Sequence, residues 1–183
     1  AEGWDYDLVD AYQKRGGGLI VIHMALMQGS GEEWSKRIGM AWDIKRDGTK
    51  WGVLPTPVTL TKAAKESPIF ERFPENFDLA DEFYWELRGD TAKIIPLVTS
   101  PAGPTIANKP LPGPPKLEDL DSNAWPVMWT TEVGPGRVFV SGVGHNYFTF
   151  NDPYFRIILL RAMAWTMNES FDPFKPLVTA HLE

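Results

Sequence analysis

Residues 15–23, RGGGLIVIH, contain the change from helix to strand that decides the kind of fold. The apolar run from Leu19 to Ile22 has no polar alternation, which is typical of a strand covered by helices on both faces. The glycines before it can adopt the left-handed backbone that ends a helix. We therefore predict a central parallel strand with His23 at its carboxyl end. Ligands of open α/β sheets bind beyond the carboxyl ends of strands, so His23 is a candidate functional residue.

Helical patterns lie at both ends of the chain. Residues 6–15 place apolar side chains on one stripe after an acidic start, which predicts a short amphipathic helix. Asp152 and Pro153 are a typical N-cap and first position, and the apolar residues after them predict another helix. Strands and helices in this order indicate an α/β fold. We predict one domain over residues 1–169 and a tail at residues 170–183.

The second half of the chain adds a hairpin and a proline-rich stretch. Residues 127–132 and 137–141 predict a β-hairpin around the turn at 134–136. Seven prolines between positions 101 and 126 oppose a helix or a central strand. We predict a long loop there, which is either a surface decoration or a lid over a site.

Composition restricts the classes of function. The chain has 183 residues, of which 43% are hydrophobic, and this is enough for one core without disulfides. Its net charge of -6 argues against a nucleic-acid partner, because phosphate binding needs a basic surface. Cys is absent, so thiolate chemistry is excluded for this chain and the compartment stays undetermined. No apolar run has membrane-spanning length, and we predict no membrane partner.

Five short motifs carry a resemblance to a known family. They are GGG at 16–18 leading to His23, DEFY at 81–84, PVMW at 126–129, GPGRV at 134–138 and GH at 144–145. Their order and spacing resemble the ThuA-like family, which is named for trehalose utilisation, over about residues 6–169.

The resemblance implies a flavodoxin-like, three-layer fold with a mainly parallel sheet, similar to class I glutamine amidotransferases, and a role in sugar metabolism. Glutamine amidotransfer needs a Cys nucleophile, so this chain does not carry that activity. Family members have an opening strand, helix and strand before the Gly-rich segment, and this chain lacks them. We expect an exposed sheet edge that is covered by a homo-oligomer, another partner or a missing amino-terminal segment.

Three ionisable residues are the candidates for catalysis. His23 and His145 each follow a predicted strand, and the family pattern places Glu82 on the same rim of the sheet. An imidazole is a general base near neutral pH or a metal ligand. Together these residues predict either a site for a divalent ion such as Zn²⁺ or a metal-free acid–base pair. The alternative for each is a hydrogen-bonded structural residue.

Strand parity separates the two adjacent acids. Successive side chains of a strand point to opposite faces, so Glu82 and Tyr84 share one face while Asp81 and Phe83 share the other. Only one acid of the pair then reaches a given cleft, which argues against a two-carboxylate glycosidase site. Aromatic neighbours desolvate Glu82 and are expected to raise its pKa.

Five residues near the motifs are candidates for substrate contacts. They are Asp81, Tyr84, Trp129, Arg137 and Tyr147. Aromatic rings stack on sugars, whereas Arg137 binds either an anionic substrate group or a carboxylate of the fold.

Two functions remain open, each with a small carbohydrate as partner. The first is an enzyme that hydrolyses or isomerises a sugar or modified disaccharide. The second is a non-catalytic carbohydrate- or partner-binding module. We predict no cofactor other than the divalent ion. Converging ionisable groups favour the enzyme, and aromatic walls without them favour the module.

Overall fold

The computed structural model describes residues 5–43, 50–85, 87–101 and 124–179. The helices within these ranges are α1 (Tyr6–Lys14), α2 (Gly31–Ile38), α3 (Lys62–Glu66), α4 (Pro153–Met167) and α5 (Pro176–Thr179). The strands are β1 (Leu19–Ile22), β2 (Met40–Ala41), β3 (Lys50–Leu60), β4 (Asn76–Trp85), β5 (Arg88–Gly89), β6 (Ile95–Pro101), β7 (Ala124–Val133) and β8 (Gly136–Ser141).

Six of the described strands form one mixed sheet in the order β1-β8-β7-β6-β3-β4, and β2 pairs with β5 separately. β1 and β8 are parallel, whereas the other described pairs are antiparallel. The expected mainly parallel sheet is therefore corrected to a mixed one. The tight turn between β7 and β8 reverses the chain, and a parallel neighbour would need a long crossover. β1 also lies at the edge of the described sheet and not at its centre.

Helices pack on both faces of the sheet and form two cores. Leu19 and Val21 of β1 face the core that contains α1 and α2. Ile20 and Ile22 face the other core, which contains α4. Both faces of β1 are covered, which explains its uninterrupted apolar sequence. The predicted three-layer, flavodoxin-like α/β arrangement is confirmed.

The predicted helix starts are also confirmed. The Asp5 carboxylate accepts from the backbone N–H of Leu8 at 3.1 Å and caps α1. The Asp152 carboxylate accepts from Phe155 N–H at 2.9 Å and caps α4, with proline at the first helical position. Each cap satisfies a backbone donor that a helix start leaves free. Within the described ranges, no helix has both the length and the apolar character needed to cross a bilayer.

The proline-rich stretch is shorter than predicted. β6 continues to Pro101 and β7 begins at Ala124, so Pro101 and Pro126 both lie in strands. Pro126 pairs with Thr99 beside a register irregularity, where a missing N–H is tolerated. Residues 102–123, and with them the lid hypothesis, lie outside the described residues.

The segment after α4 folds back onto that helix. The Phe174 carbonyl accepts from Arg161 Nη2 at 3.2 Å, and Phe171 packs against the core of the α4 face. Residues 172–174 form a turn of 3-10 helix. The division into a domain over residues 1–169 and a tail at 170–183 stays a prediction.

Candidate functional site

His23 lies where β1 ends and has an unusual backbone. Its φ is 45°, in the left-handed region that a bulky residue rarely adopts, and its side chain is only 1% exposed. The residue begins a 3-10 turn, His23–Leu26, which directs the ring back over the end of the sheet. Backbone strain of this kind persists where the surrounding structure holds a functional side chain in place.

Tyr84 fixes the orientation of the His23 ring. The two rings stack with centroids 4.2 Å apart, and Tyr84 Oη lies 3.2 Å from His23 Nδ1. The Tyr84 hydroxyl has one hydrogen, and its acceptors are the Glu82 carboxylate and Met24 Sδ, the latter at 3.3 Å. We therefore assign the His23 proton to Nδ1, which donates to the Tyr84 oxygen. The lone pair of the buried Nε2 then has no hydrogen-bond partner.

Glu82 lies between the two histidines. Its Oε1 is 3.5 Å from His23 Nε2, and its Oε2 is 3.7 Å from His145 Nδ1. These separations are too long for strong hydrogen bonds. Burial raises the pKa of Glu82, while the nearby His145 opposes the shift. The expectation of a raised pKa for Glu82 is confirmed, and its cause is the predicted desolvation.

His145 closes the site from the solvent side. Its side chain is 44% exposed, and its ring meets the His23 ring edge-on with centroids 4.9 Å apart. Burial lowers the pKa of His23 to about 4, and the charge on His145 adds to that effect while Asp81 opposes it. His23 is therefore neutral at physiological pH, which is the protonation state of a metal ligand or a general base.

Asp81 holds the His145 loop from the other face of β4. Its carboxylate accepts from the backbone N–H groups of Gly144 at 2.6 Å, His145 at 3.1 Å and Asn146 at 3.1 Å. The side chain of Asn146 donates to it at 2.8 Å, and so does the backbone N–H of Glu82. Asp81 is 1% exposed, and its hydrogen bonds position the loop. Its role as a substrate-binding residue stays a prediction.

The three predicted catalytic residues form a group that fits one divalent ion. One ligand atom from each of His23, Glu82 and His145 lies within 4.8 Å of the other two. Donors on a tetrahedral Zn²⁺ with bonds of about 2.0–2.1 Å are about 3.4 Å apart, which is close to the 3.5 Å and 3.7 Å that separate Glu82 from the two histidines. The unpaired Nε2 of His23 supplies a lone pair directed at this position. Two imidazoles and one carboxylate are a known zinc donor set that leaves a position open for water.

Other predicted substrate residues lie elsewhere. Trp129 is completely buried, and its Nε1 donates to the Ile38 carbonyl at 2.7 Å, so it is a core residue. Arg137 is at the opposite end of β8, where it donates to the Trp165 carbonyl and to Asn168 Oδ1. Neither residue belongs to the histidine group, and their predicted contact with substrate stays a prediction. The predicted hairpin of residues 127–132 and 137–141 placed both on strands but could not give the end or the face.

The aromatic residues at the site divide into buried and exposed ones. Tyr84 is 3% exposed and supports His23, and its role as a substrate contact stays a prediction. Trp42 packs edge-on against Tyr84 with centroids 4.3 Å apart, a contact that the sequence analysis missed. Tyr147 is 82% exposed, two positions after His145, and touches Phe148.

The sequence analysis also missed Asn146 as a residue of the site, although its place next to His145 is a signal that could have indicated it.

Comparison with known proteins agrees with this fold. The ThuA family model, described as trehalose utilisation, matches residues 5–166. A ThuA-like protein from Bacteroides uniformis is 20% identical with a TM-score of 0.62, and the match covers 92% of this chain and 66% of that one. One from Parabacteroides merdae is 19% identical with a TM-score of 0.60, covering 85% and 62%.

A beta-galactosidase from Rahnella sp. R3 also shares the fold, at 10% identity and a TM-score of 0.54, covering 90% of this chain and 21% of that one. A comparison with curated proteins found no significant match. The chain spans less than two thirds of the length of the two ThuA-like structures. At these identities the solved structures establish the fold alone. Because the family model matches most of the sequence, the chain belongs to the ThuA family, described as trehalose utilisation.

Proposed function

We propose that this chain is a sugar-directed enzyme whose His23, Glu82 and His145 bind one divalent metal ion, Zn²⁺ being the best match to the donors. The observation that carries the proposal is the convergence of the three ligand atoms around the unpaired Nε2 of His23. A buried polar atom without a hydrogen-bond partner needs an explanation, and a bound ion would supply one for Nε2 of His23.

The side chains have separable roles in this proposal. His23 is neutral and held by Tyr84, so it is the fixed ligand. His145 is exposed and belongs to a loop, so it closes the site after the ion enters. A bound ion supplies Lewis acidity and lowers the pKa of a water molecule. An ion held there would activate a water molecule or polarise a substrate oxygen, for hydrolysis or isomerisation of a sugar.

Tyr147 and Phe148 provide a surface for a sugar ring. Tyr147 is 82% exposed and Phe148 is 46% exposed, and both follow His145 in a 3-10 turn, Tyr147–Asn151. Exposed aromatic faces beside polar groups are typical of carbohydrate sites, because the apolar face of a sugar packs against them. The trehalose-utilisation description of the family agrees with a disaccharide substrate.

Calorimetric titration with Zn²⁺ and a turnover assay on a disaccharide panel that includes trehalose test the proposal. We expect one ion per chain and turnover that is lost on chelation and restored by Zn²⁺. His145→Ala and Glu82→Gln should each weaken Zn²⁺ binding at least about tenfold and abolish turnover. Glu132→Gln, which changes an exposed glutamate on β7, is the matched control and should bind and act as wild type.

The alternatives give different results in the same experiment. Turnover that survives chelation but not Glu82→Gln would indicate a metal-free acid–base pair. Isomerised rather than cleaved sugar would retain the site and change the reaction class. Sugar binding without turnover, in the presence of Zn²⁺, would indicate a carbohydrate-binding module.

A further inference from the structure

Helix α4 carries an apolar stripe on its solvent side. Leu160, Met163 and Met167 are 39%, 43% and 63% exposed, and their spacing of three and four positions places them on one face. They line a groove of about 360 Å³ together with Pro173 and Phe174. None of these residues is a member of the histidine site.

The opposite side of α4 packs against the core. Phe155, Ile158 and Ala162 are completely buried against the sheet. A surface helix of a monomer normally has one apolar stripe and one polar face, whereas a helix that is apolar on both sides is covered on both sides. Methionine side chains are flexible and adapt to a partner surface. The outer stripe therefore has the composition of an interface.

The charged residues at the two ends of the stripe are unfavourably placed with respect to the dipole of α4. Arg156 lies in the first turn of α4, where the positive end of the helix dipole repels it. Glu169 follows the C-cap, where the negative end repels it. Both are exposed, and within the described residues neither forms an ion pair. They are about 20 Å apart along the helix, too far to pair with each other within one chain.

The same residues complement one another across a two-fold axis. Met163 lies midway between Leu160 and Met167, and midway between Arg156 and Glu169, to within one residue. Two antiparallel α4 helices centred on Met163 would place each Leu160 against the partner copy's methionine. Each Arg156 would then face the glutamate at position 169 of the second copy and the negative carboxyl end of its α4. Each Glu169 would face the arginine and the positive amino end of that helix. An interface between identical copies is self-complementary in this way.

We propose that α4 is the interface of a homodimer, in which the stripes of two copies pack antiparallel around Met163. The occupant of the groove is the Leu160 end of the second copy's stripe. The inference does not depend on the proposed function.

Sedimentation velocity of the full chain at about 50 µM should give a dimer that dissociates on dilution. Met163→Glu should make the chain monomeric, because it places two carboxylates at the axis. Leu8→Glu is the matched control: Leu8 is 64% exposed on α1, and its substitution should leave the dimer intact. Circular dichroism melts check that each variant is folded.

Charge reversal tests the antiparallel pairing directly. Arg156→Glu and Glu169→Arg should each raise the dimer dissociation constant at least about tenfold, because each places like charges opposite one another. The double variant should restore the wild-type constant, which happens only if the two residues face each other across the interface. A monomeric wild-type chain, a dimer that survives Met163→Glu, or a double variant no better than the single ones would overturn the proposal.

Discussion

His23 combines two features that each cost folding free energy. A left-handed backbone in a bulky residue costs about 1–3 kcal/mol, and a buried nitrogen without a partner costs a similar amount. Stacking on Tyr84 and the hydrogen bond to its hydroxyl offset only part of that. Residues that weaken the fold in this way are usually retained for function, which agrees with a ligand at Nε2.

Acid should destabilise the wild-type protein more than His23→Asn. The pKa of His23 falls from 6.5 to about 4 on folding, so between these pH values the unfolded state holds more protons. The free energy of unfolding therefore decreases as the pH is lowered through this window, by about 3 kcal/mol in total. Asn tolerates the left-handed backbone and does not titrate. Urea unfolding with chelator at pH 7 and pH 4.5 measures the difference, and parallel pH curves for the two proteins would contradict it.

Asp81→Asn should weaken both the fold and the site. The amide keeps one acceptor oxygen but turns its own N–H groups toward donors of Gly144 and His145. We expect a loss of about 2–4 kcal/mol in the free energy of unfolding, because several charge-assisted hydrogen bonds share this group. Zn²⁺ binding should weaken as well, since the loop carries His145. Asp78→Asn, an exposed change on the same strand, should stay within about 0.5 kcal/mol.

At the scale of elements, the link between β8 and the turn before α4 positions His145. Ser141 Oγ accepts from the Val143 N–H at 3.2 Å and donates to the carbonyl of the same residue at 2.8 Å, which tightens the loop. Gly144 has a φ of 126°, and a Cβ there would overlap the Ile22 side chain of β1. The two histidine loops are therefore packed on each other as well as on Glu82.

Gly144→Ala should separate the two histidines. The methyl group requires an unfavourable φ and pushes against Ile22, so we expect a loss of about 2–4 kcal/mol and much weaker Zn²⁺ binding. Gly134→Ala is a close control, because Gly134 has a φ of 58° in the β7–β8 turn but open space around its Cβ position. It should cost about 1 kcal/mol and leave metal binding unchanged. Equal effects of the two changes would show that only backbone conformation matters.

The site was predictable to the extent that it depends on strand ends and parity. His23 follows an apolar run and His145 follows a strand of the hairpin, so both ends could be predicted. Glu82 shares a face with Tyr84 because strand side chains alternate. Trp129 and Arg137 lie away from the histidines, which the sequence could not show because a linear pattern does not indicate which end of a strand lies at the site. The strand directions were missed because apolar runs on covered sheets look alike whether parallel or antiparallel.

At the scale of the whole molecule, Arg161 joins parts of the chain that are distant in sequence. The residue is 1% exposed and donates to the carbonyls of Ile69 at 3.2 Å and Glu71 at 2.8 Å as well as Phe174. Its guanidinium thus connects α4 to the turn after α3 and to the carboxyl-terminal segment. Burial lowers the pKa of Arg161, but the carbonyls surround its charge with acceptors.

Arg161→Met should be among the most destabilising single changes in the chain. It removes the donors of three carbonyl groups and leaves them without these partners in a buried place. We expect the free energy of unfolding to fall by about 3 kcal/mol, measured by urea titration, and protease cleavage after residue 170 to become faster. Arg15→Met, at an exposed position after α1, is the control. A loss below about 1 kcal/mol would show that the three bonds contribute little.

The pairing of β1 with β8 also affects the order in which parts of the protein fold. Val138 lies 119 positions after its partner Leu19 (138 minus 19), so closing this loop costs about 4 kcal/mol of chain entropy before any contact forms. The β7–β8 hairpin and the β3–β4 pair are local and can form earlier. During synthesis, His145 is added long after His23 and Glu82. The three side chains therefore converge only when β1 docks on β8, and this late step completes the group.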